Sequence, residues 1–316
     1  MNMKRPLIIL TGPTAVGKTK ASIGLAKAIG GEIISADSMQ VYKYMDIGSA
    51  KIRPGEMEGV PHHLVDVLEP DEEFHVVRFQ QMAKAAMQEI YDRGRIPIVV
   101  GGTGFYIQAL LYDIDFTEND SDTAYRQSLE ALAQEKGASF LHRMLQEVDE
   151  KAACDIHENN VKRVIRALEF YHQTGKKISE HNEEERRKES AYNSAYFVLN
   201  DERAHLYDRI DLRVDQMMTE GLVEEVKALK DRGYSRNMVS MQGLGYKEIL
   251  ACLEGEMSLE EAVYVIKRDT RHFAKRQITW FKRERDVIWL NKQEFGYDEE
   301  KILEQMIKEL RERQII

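Results

Sequence analysis

The octapeptide Gly12-Pro13-Thr14-Ala15-Val16-Gly17-Lys18-Thr19 constrains this 316-residue chain more than any other feature. It fits the pattern G-x-x-x-x-G-K-[ST] at every fixed position. The apolar run Leu7–Leu10 stands just before it, as a buried parallel strand would. From Lys18 to Ile29 the residues Ile23, Leu25, Ala26 and Ile29 recur at helical spacing, and Gly30-Gly31 closes the segment. Strand, glycine turn and helix in that order aim backbone N–H groups and a helix N-terminus at one point. Gly12, Pro13, Thr14, Ala15, Val16, Gly17 and Lys18 are therefore expected to cradle a polyphosphate, with the Thr19 hydroxyl offered to Mg2+. The motif alone does not say whose polyphosphate it is.

The pattern then repeats. Glu32–Ser35 reads as a second strand, Phe79–Tyr91 as a helix and Ile96–Val100 as a third strand closed by Gly101-Gly102-Thr103-Gly104. Alternating strand and helix predict an α/β fold, a doubly wound parallel sheet of the P-loop type. From about Asn119 the texture becomes helical, with periods over Ala124–Gln134, Ser139–Val148 and Val161–Gln173. The charge run His181–Glu189 reads as a loop or an exposed helix. Strand texture resumes at Tyr196–Leu199 and again at Val287–Leu290, separated by helices at Arg203–Glu220, Leu222–Arg232 and Leu259–Lys282. The expected organisation is a core over residues 1–118, a helical insertion over 119–195 that contacts nucleic acid, and the rest of the core over 196–316. A charged amphipathic helix is expected at Asp298–Gln314.

Turns after the carboxyl ends of strands converge on the crevice of such a sheet. Thr103 and Asp37 are thereby brought toward Lys18. Asp37 suits three jobs: a Mg2+ ligand through water, a general base, or an Asx-turn cap. Ser38 and Gln40 have side chains suited to reading hydrogen-bonding edges. Arg213, in a helix after the fourth strand, is either a surface ion-pair partner or a fork for a leaving phosphate. His62 and His63 invite a metal reading, but adjacent histidines point apart, and a packed or hydrogen-bonded role is expected.

Net charge is −9, which excludes wholesale coating of nucleic acid. Against that total, Lys267–Arg285 holds eight basic residues and two acidic ones. Arg268, Arg271 and Lys275 share one helical face, and Arg276 and Gln277 follow. Lys162, Arg163 and Arg166 make a second basic face. These are either solvated faces or nucleic-acid contacts. Two distant cysteines, Cys154 and Cys252, build no disulfide framework, and no run approaches a membrane span or a full signal peptide. A cytoplasmic monomer without membrane contact is expected.

The ordered set Gly12–Thr19, SADSMQVY (Ser35–Tyr42), IGSAK (Ile47–Lys51), PHHLVD (Pro61–Asp66), GGTGFYI (Gly101–Ile107), RVIRALE (Arg163–Glu169) and KRQITWF (Lys275–Phe281) resembles the tRNA dimethylallyltransferase family, also called tRNA isopentenyltransferase. Where related sequences often have SADSRQVY, this chain carries Met39, a tuning difference at the tRNA surface. With no C-terminal zinc-finger extension, it resembles the bacterial members. The resemblance implies transfer of a dimethylallyl group from dimethylallyl diphosphate to the N6 amine of the adenosine 3′-adjacent to the anticodon, in tRNAs reading codons that begin with U. It implies that the P-loop holds the donor's diphosphate rather than ATP, and that the tRNA anticodon stem-loop is the partner. Asp37, Thr103 and Arg213 are then the catalytic set. tRNA contacts fall to Asp37, Ser38, Met39, Gln40, Thr103, Lys162, Arg163, Arg166, Gln242, Gly243, Gly245, Lys247, Arg271, Lys275, Arg276 and Gln277. A P-loop small-molecule or nucleoside kinase is the alternative; it accounts for the P-loop and Asp37, but not for the basic helix or the helical insertion.

Overall fold

The computed structural model describes residues 4–114, 116 and 123–316. Among them six strands form one all-parallel sheet: β1 (Pro6–Thr11), β2 (Glu32–Ser35), β3 (His62–His63), β4 (Pro97–Gly101), β5 (Asn193–Asn200) and β6 (Val287–Asn291), in the order β3-β2-β4-β1-β5-β6. The helices are α1 (Lys18–Ile29), α2 (Val76–Asp92), α3 (Gly104–Leu111), α4 (Thr123–Lys136), α5 (Ala138–Val148), α6 (Glu150–Asp155), α7 (Val161–Thr174), α8 (Ile178–Arg187), α9 (Arg203–Glu220), α10 (Leu222–Asp231), α11 (Tyr246–Leu253), α12 (Leu259–Phe281) and α13 (Glu299–Glu312). None of these is long and apolar enough to cross a membrane.

β1 is the centre of the sheet, paired in register with β4 on one side and β5 on the other. Leu7, Ile8, Ile9 and Leu10 are essentially inaccessible. Each such side chain is worth about 1.5–3 kcal/mol by burial, which is why a four-residue apolar run suffices to place the strand. Ile23, Leu25 and Ala26 of α1 and Ile302, Met306 and Leu310 of α13 join the same core.

The chain packs as two units. One contains residues 1–111 and 190–316; the other is the helical segment 112–189. The expected start of the insertion at 118/119 lies outside the described residues. Its expected end at 195 is corrected: β5 begins at Asn193, because the polar pair Asn193-Ser194 hides the strand's first turns from an apolar-run criterion. Within the helical unit, Leu129, Leu141, Leu145, Val164 and Leu168 form a separate core. Arg126 binds Glu169 through two 2.8 Å hydrogen bonds, tying α4 to α7. The charge run near 181–187 is the helix α8, joined to the unit by Asp149, which caps α6 and accepts from Ser179.

Far from the phosphate turn, the start of β2 buries a carboxylate. Glu32 accepts from Arg93 through both oxygens and from Arg95, and also contacts His63 Nε2 at 2.7 Å. His62 meets the Val60 carbonyl, so both histidine rings have polar partners. The Arg93 guanidinium, opposed by burial and helped by His63, holds the Glu32 carboxyl down at about 2. Its stabilising contribution is fully present above the ordinary value of 4.5 and is lost as pH falls toward about 2. Glu32→Gln is expected to cost about 2–3 kcal/mol near neutrality, since hydrogen bonds to charged groups are worth about 1.5–3 kcal/mol each. Thermal melts from pH 7 to pH 3 check this: the variant starts lower and loses less on acidification.

Candidate active site

Three loops leave the carboxyl ends of the adjacent strands β2, β4 and β1: residues 36–40, 102–104 and 12–17. Thr11 pairs with Gly101, Ser35 pairs with Val100, and Thr11 Oγ1 donates to the Gly101 carbonyl at 2.6 Å. The turns expected to converge from sequence therefore begin at neighbouring points of one sheet edge.

The P-loop is shaped by its own backbone and held from outside. Gly12 has φ +149°, and a Cβ there would stand 2.2 Å from the Leu199 carbonyl oxygen, so only glycine fits. Ala15 and Gly17 also take positive φ. Lys18 Nζ donates to the carbonyls of Gly12 at 3.0 Å and Pro13 at 2.9 Å. Arg209 Nε donates to the Ala15 carbonyl at 2.8 Å and Lys292 Nζ to the Val16 carbonyl at 3.4 Å. The Thr14 N–H donates to Gln277 Oε1 at 2.9 Å. Arg209 and Lys292 were not expected from the sequence. The available signals were positional: Arg209 stands one turn before Arg213 on α9, and Lys292 directly follows β6. Together they add positive charge behind the loop.

Lys18, Arg213 and Asp37 interact electrostatically. Burial and then the Arg213 charge lower the Lys18 ammonium to about 8, with Asp37 opposing. Burial also lowers Arg213, again against the pull of Asp37, and Arg209 adds to the lowering. Arg213 makes no hydrogen bond or ion pair among the described residues, so the surface ion-pair alternative finds no partner there. Asp37 Oδ1 accepts from the backbone N–H groups of Met39 at 2.8 Å and Gln40 at 3.3 Å, the Asx-turn of the third alternative. Its other oxygen makes no hydrogen bond among the described residues, so the turn leaves half of the carboxylate available. Thr103, partly exposed, opens α3, and Thr19 is exposed at the start of α1. A cavity of 890 Å³ is bordered by Thr19, Arg213 and Lys51 and by Leu303 of α13.

The loop bearing Asp37 is fixed from behind. Gln40, expected to read a base edge, donates its amide to the carbonyls of Ser49 at 3.4 Å and Ala50 at 3.2 Å and accepts from Ser35 at 3.3 Å. Glu225 of α10 accepts three consecutive N–H groups, from Asp46, Ile47 and Gly48, together with the Tyr246 hydroxyl. Lys51, buried, donates to Asp46, Asp66 and the Tyr42 carbonyl. Ser38 remains partly exposed, and Met39 packs against Gly243. In the 242–247 turn Gln242 is exposed, Gly245 is buried and caps α11, and Lys247 lies 3.4 Å from Glu248.

Among the basic residues, Lys275, Arg276, Lys162 and Arg163 are exposed, while Arg166 is partly buried, with burial lowering its pKa. Two expectations change. Arg271 is partly buried and ion-paired with Asp211 of α9, as Lys267 is with Asp215; this side of α12 holds α9 rather than lying open. Gln277 is buried, with its amide spent on Thr14 and on the Gly102 carbonyl at 3.0 Å.

Sheet, P-loop and charged crevice define a P-loop-type α/β enzyme core with a helical insertion. Residues 40–284 match the family described as IPP transferase, and residues 5–68 match isopentenyl transferase. The chain belongs to the tRNA dimethylallyltransferase family. It is 66% identical over 312 residues to a tRNA dimethylallyltransferase of Lachnoclostridium phytofermentans, covering 99% of each chain, and 53% identical to one of Acetivibrio thermocellus, covering 93% and 94%. Its fold is similar to the full-length tRNA isopentenylpyrophosphate transferase of Bacillus halodurans, at 45% identity and a TM-score of 0.74 over 98% of both chains. It is also similar to a eukaryotic dimethylallyltransferase acting on tRNA, at 32% identity and a TM-score of 0.79, covering 91% of this chain and 74% of that one.

Proposed function

We propose that this chain transfers the dimethylallyl group of dimethylallyl diphosphate to N6 of the adenosine 3′-adjacent to the anticodon, in tRNAs reading codons that begin with U. The observation that carries the reading is the charge arrangement at the sheet edge: two buried-side cations, Lys18 and Arg213, coupled to one half-free carboxylate, Asp37. A leaving diphosphate needs the first two, and a nucleophile that must lose a proton needs the third.

In this reading the donor's C1–O bond breaks as the N6–C1 bond forms. The departing electron pair stays on the diphosphate, and P-loop N–H groups, Lys18 and Arg213 stabilise its charge by preorganised electrostatics. The lone pair of an adenine amine is delocalised into the ring, so the amine must shed a proton as it attacks; the free oxygen of Asp37 accepts it. Thr103 lies on the neighbouring turn and orients the reacting groups. A stacked base cannot reach this edge, so the adenosine is extruded from the loop. The exposed Thr19 hydroxyl, with diphosphate oxygens and water, would hold Mg2+, which keeps several waters and binds largely through substrate phosphates, and this leaves the free Asp37 oxygen for the proton. Bound there, the ion would supply further neutralisation of the leaving charge.

Transfer from labelled dimethylallyl diphosphate to unmodified tRNA, run beside an ATP hydrolysis assay, tests the assignment. Label on tRNA without ATP consumption is expected. ATP turnover without label would return the kinase alternative.

Phosphate contacts are assigned to the exposed residues Lys275 and Arg276 and, in the helical unit, Lys162 and Arg163. Each substitution to Ala should flatten the salt dependence of tRNA binding by roughly 0.7–0.9 log units per log of salt. Arg271→Ala should instead leave the slope nearly unchanged and lower the melting temperature, because its partner is Asp211. Filter-binding titrations over a salt series check both.

A further inference from the structure

We propose that Gln277 is a positioning residue, a buried amide that ties the P-loop and the Gly101–Gly104 turn to α12 and thereby sets the spacing between the leaving group and the acceptor side of the crevice. The proposal rests on the reading that the P-loop holds the donor's diphosphate.

Gln277 lies on the inner face of α12, with Ala274 and Phe281, both fully buried, as inner-face neighbours along the helix. A buried amide is costly unless both its ends are bonded. Here both are, and the partners leave no choice of orientation: a backbone N–H, Thr14, faces the oxygen, and a backbone carbonyl, Gly102, faces the nitrogen. Among side chains of this length, only glutamine can accept from one and donate to the other without a change of protonation state. An ionised glutamate cannot donate, and lysine or arginine cannot accept.

Gly102 is shaped for the same contact. A Cβ there would lie 2.2 Å from Gln277 Nε2, and its φ is not in the left-handed region, so its missing side chain serves the approach and not the turn. One turn further along α12, Trp280 packs on Gly104, where a Cβ would stand 2.2 Å from Cδ1. α12 thus grips the turn on both sides of Thr103.

The tie is not needed to hold the strands together. β1 and β4 are already in register, and Thr11 already bonds Gly101. What Gln277 fixes lies beyond the strand ends. It withholds the Thr14 N–H from any anion and so sets the curl in which the remaining N–H groups of the loop face the donor. In the same amide it sets the position of Thr103's turn. Displacements of about 1 Å in reacting groups can cost 10²-fold in rate.

The test uses Gln277→Met, which keeps the side chain's shape and removes both bonds, and Gly102→Ala, which displaces the amide from the other side and stays informative if the first variant folds poorly. Transfer kinetics at saturating tRNA, tRNA affinity and melting temperature are measured for each, for the double variant and for Lys18→Ala. The expected result is a roughly 10–100-fold fall in kcat for both single variants, unchanged tRNA affinity, and a double variant no slower than Gln277→Met. The proposal is overturned by folded variants with wild-type kcat, by losses that multiply in the double variant, or by a loss of tRNA affinity with kcat kept. Wild-type donor affinity in Lys18→Ala would instead remove the donor-site reading, and the proposal with it.

Discussion

Asp37→Asn should lower kcat by roughly 10²–10⁴-fold while leaving tRNA affinity and melting temperature close to wild type. The choice of asparagine follows from the two uses of the side chain. Oδ1 caps the turn by accepting from Met39 and Gln40. An amide oxygen can keep that cap, but the amide cannot take a proton from the adenine amine. Asp37→Ala loses both, so it should show the same rate loss together with a looser 38–40 segment and weaker tRNA binding. Steady-state kinetics with filter binding separate the two variants. Near-normal turnover in Asp37→Asn would mean that the residue acts through the turn and that the proton goes elsewhere.

Lys18→Ala should reduce kcat/KM for the donor by at least about 10²-fold, the scale of losing one preorganised donor at a site of developing charge. Its ionisation gives a second readout. Burial and Arg213 hold the ammonium at about 8 in the donor-free protein. Only the protonated form attracts diphosphate, so kcat/KM should fall as pH rises through about 8. Bound diphosphate favours the charged form, so the matching fall in kcat should come at higher pH. Stability runs the other way. Between about 8 and the ordinary 10.5 the unfolded chain holds the extra proton, so this group makes the donor-free protein more stable as pH rises through that window. Lys18→Met should abolish both trends.

The parts of the fold that were legible in the sequence are those with a strong local signature. β1, the P-loop and α1 follow from a continuous apolar run, fixed glycines and a 3.6-residue period, all within residues 6–29. α3 was missed because Gly104–Leu111 is apolar but for Gln108, and eight residues with a single strongly polar side chain show no period to detect. β3 was missed because a two-residue strand has no pattern at all. The same division holds at the site. Lys18, Asp37 and Thr103 could be placed from their position after strands. Arg209, Lys292 and Glu225 act through contacts more than 170 residues away in sequence, and no spacing rule reaches them. The burial of Gln277 is not legible in the sequence for a related reason. A polar residue within a basic run reads as surface, and only the packing of α12 shows that it faces inward.

The central claim is that this crevice alkylates one particular adenine amine. It is tested most directly with two anticodon stem-loops that differ only at the position 3′ of the anticodon, one carrying adenosine and the other inosine, which lacks the exocyclic amine. Both are incubated with labelled dimethylallyl diphosphate and digested to nucleosides. The account predicts label in the first only, on N6 of that adenosine. Label in the inosine stem-loop, or at another nucleoside of the first, would contradict it.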